Sequence, residues 1–245
     1  MQFVIGDIHG EISKLRLLVK TILNIDSKPT LIFIGDYLDK GEDSHSLLQY
    51  LEQLSTLYDS IFLMGNHEFI WLNLESDFEK YQTYLIKYGG RMTMKSLGVE
   101  NLLNAKEILL NKFEKFFSSL VSYWKNDEFL VVHSGVKPCD YNTAVEDISL
   151  KDLLFNRYDF IQHEGLYLGR LKVIFGHTGF FSPFANAYKI GVDTSACFLE
   201  KQPLTAFCLD EGFFIDSNTT LTMGKDIQLN ACPNIVRVKP WRYDK

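Results

Sequence analysis

The sequence predicts an α/β fold built on a largely parallel sheet. Two observations predict it. Over residues 1–65, short apolar runs alternate with apolar residues at helical spacing. Successive runs also end in a glycine followed by a polar side chain. Strand–helix–strand order implies right-handed crossovers and parallel neighbours.

The elements follow in order. Phe3-Val4-Ile5 reads as a strand ending at Gly6, and Ile12, Leu15, Val19 and Ile22 follow at helical spacing. Residues 30–34 form a second strand ending at Gly35-Asp36. Asp43 or Ser44 can cap a helix carrying Leu47, Leu48, Leu51 and Leu54. Residues 61–64 form a third strand ending at Gly65-Asn66. The stretch from about 69 to 127 reads as helical and aromatic-rich, with Ile108, Leu109, Phe113, Phe116, Phe117 and Leu120 as a core stripe. Further strands are expected at 129–132, 173–175, 188–192 and 205–209. No helical pattern separates the last two, which predicts an antiparallel pair.

The chain has 245 residues, enough for a substantial core. Hydrophobic residues make up 46% and charged residues 23%, which excludes a disordered chain. The net charge of -6 argues against a generally basic nucleic-acid surface. No stretch approaches the roughly 20 apolar residues of a membrane span. The N-terminus lacks the pattern of a signal peptide. Cys139, Cys197, Cys208 and Cys232 form no CxxC pair, so reduced thiols in a cytoplasmic protein are expected.

Five strand ends carry metal-competent side chains. They are Gly6-Asp7-Ile8-His9-Gly10, residues 35–41 (GDYLDKG), Gly65-Asn66-His67-Glu68, His133-Ser134-Gly135 and Gly176-His177-Thr178. Carboxyl ends of parallel strands share one crevice, so these segments should converge. Asp, Asn and His without thiolate suit hard or borderline divalent ions, and a carboxylate such as Asp36 can bridge two of them. Loaded with two such ions, the pocket would attract phosphate; empty, it would repel it. Four of the six histidines fall in these motifs, while His45 and His163 read as surface residues.

These motifs, in this order and spacing, resemble the phosphoprotein phosphatase (PPP-type), calcineurin-like metallophosphatases. The bacterial and phage members, such as those like lambda phosphatase and the symmetrical diadenosine tetraphosphatase, are most similar. The resemblance runs from residue 1 to about 216 and includes Gly89-Gly90 and residues 192–196 (VDTSA). It implies a four-layer α/β/β/α sandwich, a single domain over 1–245 with a helical insert at about 69–127 and a C-terminal extension at about 217–245. That extension holds five basic residues between Lys225 and Lys245.

Carried over residue by residue, the resemblance implies one ion held by Asp7, His9 and Asp36, and a second held by Asp36, Asn66, His133 and His177. His67, oriented by Asp39, would be the general acid, with a metal-bound hydroxide attacking phosphorus. Lys40 and Arg157 would contact the phosphate, Lys40 standing where the family usually has arginine. Met64, Ser134 and Ser195 also depart from the usual residues. Gly179 follows Thr178, unlike the Gly-His-x-His of related nucleases and cyclic phosphodiesterases. The ions are expected to be Mn, with Fe, Zn or Co as alternatives. The expected activity is serine/threonine-type phosphatase action on a phosphorylated protein or small phosphoester. The alternatives are diadenosine tetraphosphate hydrolysis, in which tyrosines of the insert or Trp71 would line an adenine pocket, and a phosphate-binding module with reduced turnover.

Overall fold

Apolar residues run unbroken through Phe3–Ile5 and Leu31–Phe33, and both lie in strands, β1 (Gln2–Ile5) and β2 (Thr30–Phe33). Phe3 and Ile5 face one way and Val4 the other, so both faces of the sheet must be covered. The structure, a computed structural model, describes residues 1–198 and 201–218. Their strands form two mixed sheets of five.

The first sheet also holds β3 (Ser60–Phe62), β9 (Thr205–Cys208) and β10 (Phe213–Asp216), in the order β10-β9-β1-β2-β3. The second holds β4 (Tyr123–Lys125), β5 (Phe129–Val132), β6 (Lys172–Phe175), β7 (Phe184–Ala185) and β8 (Lys189–Gly191), in the order β4-β5-β6-β8-β7. In the first, β1, β2 and β3 run parallel with β3 at the edge, and β9 and β10 add an antiparallel pair beside β1; in the second, parallel β5, β6 and β8 lie between antiparallel β4 and β7.

Val4, Ile32, Ile34 and Leu63 of one sheet meet Val131, Ile174, Ile190 and Val192 of the other. The outer face of the first sheet is covered by α1 (Ile12–Ile25) and α2 (Ser44–Leu57). Asp43 caps α2 by accepting the Ser46 N–H at 2.8 Å. The insert joins this same core through α3 (Asn66–Leu72), α4 (Phe78–Lys87), α5 (Gly90–Leu97), α6 (Leu102–Lys112) and α7 (Glu114–Ser118). Leu130, Val132, Val173 and Phe175 cover the far side of the second sheet, against Leu153 of α8 (Leu150–Leu154) and Phe160 of α9 (Tyr158–Gln162). The four-layer α/β/β/α architecture is as expected.

Three local readings are corrected. The strands at 189–191 and 205–208 do not pair: β8 lies between β6 and β7, whereas β9 pairs with β1 and β10 in the other sheet. Ala206 and Cys208 face the helical core and Phe207 the inter-sheet core, so β9 is apolar on both faces and takes an interior place. A connection without a helix can cross between sheets as well as make a hairpin. The helical insert gives way to strand β4 before its expected end, because Tyr123, Trp124 and Lys125 pair with Val132, Val131 and Leu130. His45 and His163 are half-buried rather than surface residues, packed edge-on against Phe113 and Tyr141. The basic segment from Lys225 to Lys245 lies outside the described residues.

Candidate active site

All eight residues predicted as ligands or acid–base pair meet at the carboxyl ends of β1, β2, β3, β5 and β6, and all are buried. Two bonds tie the sheets together there: the His133 Nδ1–H donates to Ile34 O at 3.0 Å, and the His177 N–H donates to Asp7 Oδ2 at 2.9 Å. His9, Asp36, Asp39, Lys40 and His177 all adopt left-handed backbone, with φ between 47° and 69°. Strain of this kind persists only where the surroundings impose it.

Glu68 imposes much of it. Its Oε2 accepts the Asp36 and Gly65 N–H groups at 2.9 and 3.1 Å, and its Oε1 accepts those of Tyr37 and Leu38 at 2.9 and 3.1 Å. One carboxylate thus clamps the loop after β2 to the loop after β3. Burial and the Asp36 charge push the Glu68 carboxyl up to about 8, and the Leu38 and Tyr37 donors pull it back. Gly65 is needed because a Cβ there would meet Asp36 N at 2.2 Å.

Asp36 sits at the centre. Its Oδ2 is 3.3 Å from His9 Nε2, and its Oδ1 is 3.4 Å from His133 Nε2. Asn66 Oδ1 is 2.9 Å from the same His133 nitrogen. Among the described residues, His9, Asp36 and His67 form one potential metal group and Asp36, His133 and His177 another, each with ligand atoms within 4.8 Å. Asp36 belongs to both, as a bridging ligand must.

The donors fit divalent ions. Asp7 Oδ1 and His177 Nε2 are buried without a hydrogen-bond partner, the condition of ligand atoms awaiting a cation. His9 gives its Nδ1–H to Leu38 O at 2.7 Å, as His133 does to Ile34 O, which leaves each Nε2 lone pair inward. Burial, then the Lys40 charge, lowers His9 to about 4. Burial also lowers His133, and His177 well below the usual imidazole range. All three are neutral at pH 7, the ligand form. Burial, with the charges of Asp193 and Asp36, raises the Asp7 carboxyl well above the aspartate range. These crowded carboxylates call for positive charge.

Lys40 now supplies some of it. Its Nζ lies 2.6 Å from His9 Nε2 and over the Phe198 ring, not out in the cleft where a phosphate contact was expected. Arg157 is exposed at the start of α9, and its charge acts on His177, Tyr84 and Asp193.

His67 is arranged differently from the other histidines. Its Nδ1 bonds Asp39 Oδ2 at 2.6 Å, while its Nε2 lies 4.0 Å from Asp36 Oδ2. Asp39 is held in turn by the Trp71 Nε1–H at 3.0 Å and the Thr93 hydroxyl at 2.7 Å. This occupies Trp71, which is buried and lines no adenine pocket. Sequence reasoning did not assign roles to Glu68, Thr93, Tyr84 or Asp193. Glu68 stood inside the quoted GNHE motif and Asp193 inside residues 192–196; Thr93 and Tyr84 are joined to the site only by tertiary structure.

A model of the calcineurin-like phosphoesterase family matches residues 3–205. The chain belongs to this family. It is accordingly a metallophosphoesterase, a hydrolase. The asymmetrical bis(5'-nucleosyl)-tetraphosphatase PrpE of Oceanobacillus iheyensis is 25% identical over 237 residues, covering 86% of this chain and 90% of that protein. The symmetrical bis(5'-nucleosyl)-tetraphosphatase of Photorhabdus laumondii is 30% identical over 159 residues, covering 63% of this chain but only 51% of that relative. The cold-active protein-tyrosine phosphatase of a Shewanella species shares the fold with a TM-score of 0.65 at 14% identity, covering 88% of this chain and 77% of that one.

Replacing Glu68 by Gln leaves two of four buried N–H donors facing an amide nitrogen. Each orphaned donor costs about 1–3 kcal/mol, so urea unfolding should show a loss of roughly 2–6 kcal/mol; an unchanged midpoint would contradict the clamp. Asp7, raised above its ordinary value of 3.8, must also lose its proton to bind a cation. Mn²⁺ affinity of metal-stripped protein should therefore fall as pH falls from neutral, with proton release visible by calorimetry in buffers of different ionisation enthalpy. Proton-independent binding would refute this.

Proposed function

We propose that the protein is a metal-dependent phosphohydrolase acting on phosphomonoesters of alcohols, of the serine/threonine phosphatase type. The observation that carries this reading is the buried His67–Asp39 pair at 2.6 Å. An alkoxide is a poor leaving group and needs a proton in the transition state, whereas a good leaving group does not.

Asp7, His9 and Asp36 would hold one divalent ion, and Asp36, Asn66, His133 and His177 a second; Mn²⁺ is our choice for both. Such ions polarise phosphoryl oxygens and activate water for in-line attack. With His9 Nε2 committed to a ligand role, the flexible Lys40 side chain is released toward the phosphate. There it acts with Arg157, Lys40 as a point charge and Arg157 as a two-pronged donor. His67 gives its Nε2 proton to the leaving oxygen. Asp39, fixed by Trp71 and Thr93, keeps the imidazole ring in register.

A second reading is hydrolysis of a dinucleoside polyphosphate. The full-length similarity to a bis(5'-nucleosyl)-tetraphosphatase favours it. Tyr84 and Tyr88, with ring centroids 4.4 Å apart and Tyr84 packed on His67, offer a surface for a base.

Metal-stripped protein resupplied with Mn²⁺ should release phosphate from a phosphothreonine peptide faster than it cleaves diadenosine tetraphosphate to nucleotides. His67→Asn should slow the peptide reaction about 10²–10⁴-fold and p-nitrophenyl phosphate much less. Preference for the dinucleotide would establish the second reading, and equal losses on both esters would overturn the acid role.

A further inference from the structure

The Asn66 amide has two ends with opposite polarity. Its Oδ1 lies 2.9 Å from His133 Nε2, which in turn lies 3.4 Å from Asp36 Oδ1, so three ligand atoms converge. Its Nδ2 donates to the Tyr84 hydroxyl oxygen at 2.8 Å. Asn66 is the first residue of α3, whereas Tyr84 belongs to α4 in the insert. The bond therefore reaches from the helical layer to the sheet-end site.

We propose that Tyr84 is a positioning residue for the second ion site, holding the Asn66 amide so that its carbonyl oxygen, not its nitrogen, faces the ion. The inference rests on Asn66, His133, His177 and Asp36 holding an ion, and the donor chemistry above supports that. A rotated amide would turn two N–H groups toward a cation and repel it. Donating the Nδ2–H to the Tyr84 oxygen also raises the electron density available at Oδ1. Tyr84 is well placed to stay still while doing this. Its ring packs edge-on against His67, with centroids 5.7 Å apart, and lies 4.4 Å from the ring of Tyr88. Burial and the Asp36 charge raise its phenol above the usual range, so it stays neutral.

The role differs from packing, because phenylalanine keeps the ring and removes only the acceptor. It also differs from catalysis, because it acts before any substrate is present. The measurable consequence is metal affinity at one site of two.

The test is a Mn²⁺ titration of the metal-stripped full chain, followed by the electron paramagnetic resonance signal of unbound Mn²⁺. Wild type should take up two ions. Tyr84→Phe should weaken one site about 10–100-fold and leave the other unchanged. Thr83→Ala, an exposed change on the same helix, should match wild type. In an Asn66→Ala background, Tyr84→Phe should add no further loss, since the amide it orients is gone. Tyr84→Phe binding both ions like wild type would overturn the proposal, as would an equal weakening of both sites or an undiminished effect in the Asn66→Ala background. A wild type that takes up no Mn²⁺ would overturn the ion site itself, which separates the two failures.

Discussion

The carboxylate of Glu68 is the constraint on which the site depends. It is fully buried and spends both oxygens on four backbone N–H groups from two loops. Those loops carry Asp36, Asp39, Asn66 and His67. With the Ile8 and His9 N–H bonds to Asp36 O and the His67 N–H bond to Asp36 Oδ1, the clamp holds Asp36 in left-handed backbone while the two strand ends approach to within a Cβ of one another. A strained turn is thus stabilised by a hydrogen-bond cluster buried away from water.

From that anchor the site builds outward in three directions. Toward the second sheet, His133 and His177 are locked to Ile34 and Asp7, so the two sheets share one set of ligands. Toward the helical layer, Asp39 takes donors from α3 and α5, and Asn66 gives a donor to α4. Beside His9, the Lys40 ammonium adds positive charge to the carboxylate cluster, and Arg157 is exposed at the start of α9. The helical insert therefore hydrogen-bonds the site and does not only cover the core.

Much of this was legible in the sequence. Asp7, Asp36 and His133 each follow a strand whose apolar run ends at or near a glycine, and parallel strands bring such ends together without further information. The pairing of Asp39 with His67 came only from the family resemblance, since the two lie 28 positions apart in the sequence and meet through tertiary structure. What was not legible depends on contacts distant in sequence. Thr93 reaches Asp39, and Tyr84 reaches Asn66, through a packing of helices that no local period encodes. The assignment of β9 to the first sheet failed for the same reason: an apolar strand states that it is buried, but not beside which neighbour. The resting place of Lys40 against His9 also followed from no motif, because a long flexible cation goes where unscreened carboxylates draw it.

The central claim is that these strand ends hold two ions that share Asp36. Anomalous diffraction from crystals grown with Mn²⁺ tests it most directly. The account predicts two peaks flanking the Asp36 carboxylate, one bordered by Asp7 and His9 and the other by Asn66, His133 and His177, with Lys40 withdrawn from His9. A single peak, or peaks that leave Asp36 with no metal contact, would contradict it.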